Sequence, residues 1–214
     1  MTFTPQLLPQ IIAAVDQTIT DHGEEVTALD QAIGDGDHLI NLQRGLAMLK
    51  VQADELSALA WPVAWQKIGM ILMSTVGGAS GSLYGTLFIA LSKAAYSAEL
   101  DSHGFAAIFA LAVEAVKQRG KSDAGEKTLL DVYIPVADYL KSASETAATL
   151  PEILATVPAV AIAGMESTRD MLATKGRASF LDERSLGHID AGAKTAQLMV
   201  CAIAEVLAAA VDKG

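Results

Sequence analysis

Three carboxylates crowd into the stretch Asp30-Gln-Ala-Ile-Gly34-Asp35-Gly36-Asp37-His38, and no Lys or Arg precedes Arg44, so no cation close in sequence neutralises them. Gly34 and Gly36 alternate with Asp35 and Asp37. Residues two apart do not share a helical face, whereas an extended backbone aims them the same way, and glycine permits the tight turn between. Oxygen ligands converging from a loop suit a hard cation, Mg2+ or Ca2+, rather than zinc. The alternative is a solvated turn, because Asp and Gly are ordinary turn residues. The apolar helical run that continues directly from His38 weighs against it. Calcium of the EF-hand kind fails on spacing: a loop opening at Asp30 has Ala32 at its third position, and one opening at Asp35 has Leu46 where the bidentate Glu belongs. Mg2+ completes its octahedron with waters and substrate phosphates, so a phosphate-bearing ligand is implied.

A second stretch fits such a ligand. Gly77-Gly78-Ala79-Ser80-Gly81 interrupts two apolar helical runs and exposes backbone amides at the start of the second, an arrangement that binds anions. Taken alone, the same glycines could serve only close helix packing. Gly120-Lys121-Ser122 loosely matches the phosphate loop of nucleoside triphosphatases, but that motif needs a strand before it and a helix starting inside it, whereas here a helix precedes and a turn follows. Arg169, Lys175, Arg177 and Arg184 alternate with Glu166, Asp170, Asp182 and Glu183, which reads as surface ion pairing of little energetic worth. Arg177 is the exception: it follows Gly176 in a loop, and its planar fork suits a phosphate or the face of a base.

The elements that must position these loops are helices. Thr4-Pro5 caps a run with Leu8, Ile11, Ile12, Val15 and Ile19 on one side, expected to continue to about Ala32. Further helices are expected from His38, from about Pro62, from Gly81, from Phe105 to Arg119, from Lys127 with a kink near Asp131 or Val132 imposed by Pro135, broken or started at Pro158, and from Gly192. That makes about eight, with no convincing strand, and the loops singled out follow alternate helices, which places them at one rim of an up-and-down arrangement.

Composition agrees. Aromatics are only 5% while Ala and Leu abound, favouring an all-α core, and 214 residues without a linker imply one domain, 1–214. Despite a mean hydropathy of +0.35, no membrane span is expected, because the most apolar stretch, Ile153 to Met165, is short and contains Pro158. The first residues lack a secretion signal and the lone Cys201 cannot form an internal disulfide, so a cytoplasmic protein is expected, with Cys201 in the core. A net charge of −10 argues against nucleic acid as a partner. His22 and His103 fit no constellation and read as surface residues.

In order along the chain, Gly34-Asp-Gly-Asp-His38, Asn41, Arg44-Gly45, Gly77-Gly-Ala-Ser-Gly81, Lys175-Gly-Arg177-Ala-Ser and Gly187-His-Ile-Asp190 resemble the motifs of the nucleotide-binding L subunit of dihydroxyacetone (glycerone) kinase. The resemblance covers nearly the whole chain. It implies a closed barrel of eight antiparallel amphipathic helices with the nucleotide at one rim. It also implies two Mg2+ ions on Asp30, Asp35 and Asp37, and ADP or ATP contacted by His38, Leu39, Asn41, Ala79, Ser80, Gly120, Leu129, Arg177, Asp190 and Gly192. No side chain is assigned a covalent catalytic role. The sugar is held by a separate K subunit, and the phosphate donor is either ATP or an M-type phosphocarrier of the phosphotransferase system. Two departures stand out: the family has Gly where this chain has Leu39 and commonly Pro where it has Ala191. Leu39 motivates the alternative reading, a non-catalytic paralogue that serves as a regulatory or binding module; a kinase subunit for another small keto-sugar is a third.

Overall fold

In the computed structural model residues 4–98 and 100–211 are described, and among them every regular element is a helix. The ends of the expected domain, 1–3 and 212–214, lie outside the described residues. The expected first helix to about Ala32 is two: α1 (Leu8–Asp21), after a 3-10 turn at Pro5–Leu7, and α2 (Gly23–Ile33). His22 makes the break. Its backbone leaves the helical region at φ −100 and ψ 15, and its Nδ1 lies 2.9 Å from Thr18 O, the carbonyl its own amide also engages. A side chain that hydrogen-bonds the preceding turn offers the backbone an alternative to helix continuation.

The chain then forms α3 (His38–Val51), a short α4 (Ala53–Ser57), α5 (Trp61–Thr75), α6 (Gly78–Ala95), α7 (Ser102–Gly120), α8 (Leu130–Glu145), α9 (Leu150–Ser167) and α10 (Ala191–Val211). Each of α1, α3, α5, α6, α7, α8, α9 and α10 packs against the next in that order, and α10 returns to α1. Short connections, as between α5 and α6 or between α8 and α9, make those neighbours antiparallel. The result is a ring of eight staves, the arrangement that the family resemblance implies. α2 is not a stave: Gly23 lies against Leu39 in the first turn of α3, Glu25 pairs with Lys194 in the first turn of α10 at 3.0 Å, and Ile33 clusters with Ala173 and Ala178. It therefore lies along the rim, and its last turn carries Asp30.

Buried positions recur at helical spacing, as at Leu42, Leu46 and Leu49 of α3, so each stave turns one apolar stripe to the interior. Five of the aromatics gather into one stack. Trp61, Trp65, Phe105 and Phe109 follow one another at centroid distances of 5.1, 6.4 and 5.9 Å, and Tyr133 meets Phe109 edge-on at 6.1 Å. α9 and α10 are long and apolar enough by length and composition to cross a bilayer. Here they are adjacent staves, and Ile153, Val157, Ala161, Leu198 and Ala202 join the common core.

Two proline expectations resolve differently. Pro135 falls in the second turn of α8, so the carbonyl it leaves without an amide is Asp131 O, where Gly164 of α9 packs so closely that a Cβ would sit 2.3 Å away. α9 neither breaks nor begins at Pro158. It starts one residue after Thr149, whose amide and hydroxyl both donate to Glu152 Oε2 at 2.8 and 2.7 Å, with Pro151 in the first turn. Thr149→Ala is expected to lower the melting temperature by about 2–4 °C, with helical content below the transition unchanged; calorimetry of the two proteins checks this.

Candidate functional site

The turn of residues 34–37 connects α2 to α3 and brings Asp30, Asp35 and Asp37 together: one carboxylate oxygen from each lies within 4.8 Å of the others. Asp30 is held at 9% exposure, and its Oδ2 accepts the His38 amide at 3.0 Å. Gly34 makes the turn possible, because a Cβ there would lie 2.0 Å from Asp30 Oδ1. Among the described residues the cation that reaches the cluster is Arg177, whose Nε lies 2.9 Å from Asp35 Oδ2. Both side chains are largely open to water, so this pair contributes little energy and leaves the two other carboxylates unneutralised. An all-oxygen set on a tight loop, partly buried and short of positive charge, fits a hard divalent ion such as Mg2+.

Beside it stands the start of α6. Gly77 flanks the helix in extended backbone, and the amides of Gly78, Ala79 and Ser80 precede the first intrahelical bond, from Gly81 N to Gly77 O at 3.5 Å. Such amides carry the positive end of the helix dipole. Asn41 is buried against Gly77.

His38 ties this loop to α10. Its Nδ1 lies 3.2 Å from Ser80 Oγ and its Nε2 2.9 Å from Thr195 Oγ1. Thr195 Oγ1 donates to the carbonyls of Ala191 or Gly192, both at 3.1 Å, so it accepts from its other neighbours, and Tyr84 OH reaches it at 3.3 Å. Nε2 therefore carries a proton, and in the neutral ring Nδ1 accepts from Ser80. Burial holds the His38 pKa below its ordinary value, against the opposing pull of Asp30 and Asp37. Tyr133 in turn hydrogen-bonds Tyr84, and burial pushes the Tyr84 phenol up to about 12. The His38 ring thus meets two protein hydroxyls, and its amide meets Asp30.

The other half of the site surrounds the first turn of α10. Asp190 caps that helix, its Oδ2 accepting Ala193 N at 2.7 Å, while its own amide donates to Thr168 Oγ1 at 3.1 Å. A Cβ on Gly192 would lie 3.0 Å from Asp190 Oδ2 and 3.9 Å from Leu129, so these three residues form one wall. Beneath it, Lys127 is 1% exposed and its ammonium donates to the carbonyls of Thr168, Met171 and His188 at 2.5, 3.2 and 2.5 Å. Burial lowers its pKa, opposed chiefly by Asp190. Buried Asp131 accepts Gly125 N and Thr128 N at 2.5 and 2.7 Å, shaping the turn before α8. Glu126 accepts Asp123 N at 2.7 Å and Thr174 Oγ1 at 2.8 Å, and these bonds bring its carboxyl down to about 2.

The structure thus unites Asp30, Asp35, Asp37, His38, Ser80 and Arg177 directly, sets Leu129, Asp190 and Gly192 together, and joins the two groups through Thr195, one turn beyond Gly192. Gly120, the last residue of α7, is set against Leu83 of α6 and Ser122. Leu39 lies in α3 and turns its side chain toward Gly23. Sequence reasoning missed Thr195, Tyr84 and Lys127. Lys127 reads as a helix start, yet α8 begins at Leu130 and Lys127 takes φ +60.

Asp190 sets a pH test. Burial, reinforced by Asp131 and Asp30 and opposed by the Ala193 amide and Lys127, raises its pKa to about 6. A raised carboxyl binds a proton in the folded state between about pH 4 and 6 while the unfolded chain has lost it, so its contribution is present below pH 4 and lost as pH rises through 6. Asp190→Asn, which keeps the capping oxygen, is expected to gain melting temperature relative to the native chain between about pH 4 and 6 and to hold that gain above; melts from pH 4 to 8 check this.

Residues 32–205 match the DAK2 domain family. The chain is 42% identical over 188 residues to the PEP-dependent dihydroxyacetone kinase 1, ADP-binding subunit DhaL, of Listeria innocua serovar 6a, spanning 85% of this chain and 89% of that protein. It is 37% identical over 178 residues to the PEP-dependent dihydroxyacetone kinase, ADP-binding subunit DhaL, of Escherichia coli K12, spanning 83% and 85%. The crystal structure of the dihydroxyacetone kinase from C. freundii in complex with AMP-PNP and Mg2+ shares the fold, with a TM-score of 0.70 at 23% identity over 98% of this chain, which spans 35% of that longer one. The chain belongs to the DAK2 domain family and, within it, to the DhaL subunits of dihydroxyacetone kinase.

Proposed function

We propose that this chain holds ADP or ATP, with two Mg2+ ions on Asp30, Asp35 and Asp37, for phosphoryl transfer to dihydroxyacetone carried by a separate K subunit. The observation that carries the reading is the convergence of three carboxylates beside the free amides at the start of α6. When bound, the ions neutralise phosphate charge. His38 holds Ser80 in place, Arg177 supplies a fork for a phosphate or base, and Leu129, Asp190 and Gly192 form the wall for ribose and base. Asn41, Ala79 and Gly120 line the remaining rim, and Leu39 contributes its amide. No side chain has to attack or shuttle a proton, because phosphoryl transfer relies on positioning and charge neutralisation.

A substrate held on another protein requires a docking face around the nucleotide, and the rim offers exposed Phe180, Ile40, Leu172 and Leu186. The relatives named as PEP-dependent support an M-type phosphocarrier of the phosphotransferase system as donor, with ADP retained as a bound intermediate. Such a system works in the cytoplasm. The helical backbone of Leu39 and its packing toward α2 support the kinase reading over the non-catalytic alternative, because no positive φ calls for glycine there.

Asp37→Asn is the cleanest test, because Asp35 also pairs with Arg177 and Asp30 also accepts the His38 amide. Calorimetry is expected to show Mg2+-dependent ADP binding in the native chain and its loss in Asp37→Asn at unchanged helical content; equal affinity in both would remove the metal assignment. Arg177→Ala should weaken binding more than Arg169→Ala or Arg184→Ala. Mixed with a K-type subunit and a phosphate donor the chain is expected to phosphorylate dihydroxyacetone, and alone it is not; turnover by the lone chain would refute the subunit reading.

A further inference from the structure

Lys127 is used by none of the steps above, yet it is among the most deeply buried charged groups described. Its three ammonium donors meet three carbonyls and no carboxylate: Thr168, Met171 and His188. An ammonium has three hydrogens to give, so its capacity is filled. The last two acceptors stand at the two ends of one excursion, residues 171–188. Gly187 N adds a bond to Arg169 O at 2.8 Å, and Ser185 Oγ accepts Ala173 N at 3.0 Å, so the excursion closes on itself at a narrow neck. Its outer part carries Arg177, which reaches Asp35, and its exit delivers Asp190 to α10.

A buried lysine is a poor device for stability alone, since its desolvation is costly and an apolar side chain would fill the same space at less cost. The backbone at Lys127 is also held in the left-handed region, φ +60, which a branched-free but bulky side chain adopts only when its surroundings fix it there. Both features point to placement as the return.

We propose that Lys127 is a positioning residue for the nucleotide: its ammonium closes the neck of the 171–188 loop and so fixes Arg177 and Asp190 relative to the acidic cluster. The inference rests on the nucleotide reading for its consequence and on the loop geometry for its cause, and the two are separable by experiment. Lys127→Met keeps the length and removes the donors. Lys127→Arg keeps the charge but offers a planar fork to carbonyls gathered around one nitrogen.

Limited trypsinolysis reads the loop directly, because Lys175, Arg177 and Arg184 lie in it. In folded Lys127→Met, cleavage at these sites is expected to rise about tenfold with cleavage at Arg44 and Lys50 unchanged, and Mg2+-ADP affinity to fall about tenfold, while Mn2+ alone binds the acidic cluster as in the native chain. Lys127→Arg, the variant to read if Lys127→Met does not fold, is expected to show the same two changes in smaller measure. A folded variant with native cleavage and native affinity, whatever its melting temperature, would overturn the proposal and leave Lys127 a purely structural group. Absence of Mg2+-ADP binding in the native chain would overturn the nucleotide reading itself, and is told apart because the cleavage pattern needs no nucleotide.

Discussion

Three carboxylates held within 4.8 Å of one another repel, by about 1 kcal/mol per pair at 4 Å in water and more where the surroundings are partly buried, and the fold maintains them there. Asp30 is fixed because α2 lies along the rim, leaving the ring of staves, and because its carboxylate accepts the amide that opens α3. Asp35 is relieved by a guanidinium from a loop far along the chain. Asp37 has neither. In the proposed function this cluster is the seat for cations, and the remaining rim loops are those that a phosphate-bearing ligand would touch.

Those loops are tied to one another by the protein's own side chains. Ser80, His38, Thr195, Tyr84 and Tyr133 form one hydrogen-bonded line from the α6 loop to the centre of the barrel, where Tyr133 meets the aromatic stack. Buried polar lines of this kind rigidify a site when every member is satisfied. Thr195 meets this demand, because one hydroxyl donates to its own helix and accepts from both His38 and Tyr84. Elsewhere in the site Lys127 and Glu126 sew the turn before α8 to the 168–188 segment, while Asp131 holds that turn from within.

Much of this was legible in the sequence, and what was not has a common cause. The acidic loop announced itself through alternation of Asp with Gly, the α6 loop through glycines between apolar runs, and the staves through helical spacing of residues such as Leu42, Leu46 and Leu49. Each signal is local. The break at His22 was hidden because buried positions Ile19 and Val26 continue a helical spacing across it. Pro158 suggested a helix end that packing overrides, while the capping pair Thr149 and Glu152 marked the true start. Thr195 carries no local signal within the last apolar helix, and Lys127 reads only as a helix start. Their roles come from partners more than forty residues away, which no spacing within one element reveals.

The most direct test of the account is the thermal response of the native chain to ADP with and without a divalent ion. Mg2+-ADP at about a hundredfold excess over Kd is expected to stabilise by about 2.7 kcal/mol, a rise of about 5–10 °C in melting temperature for a chain of this size. ADP with a chelator should shift it far less, since its phosphates would then face Asp30, Asp35 and Asp37 unscreened. Equal shifts with and without Mg2+, or no shift at millimolar Mg2+-ADP, would contradict the claim that these carboxylates hold a metal-bound nucleotide.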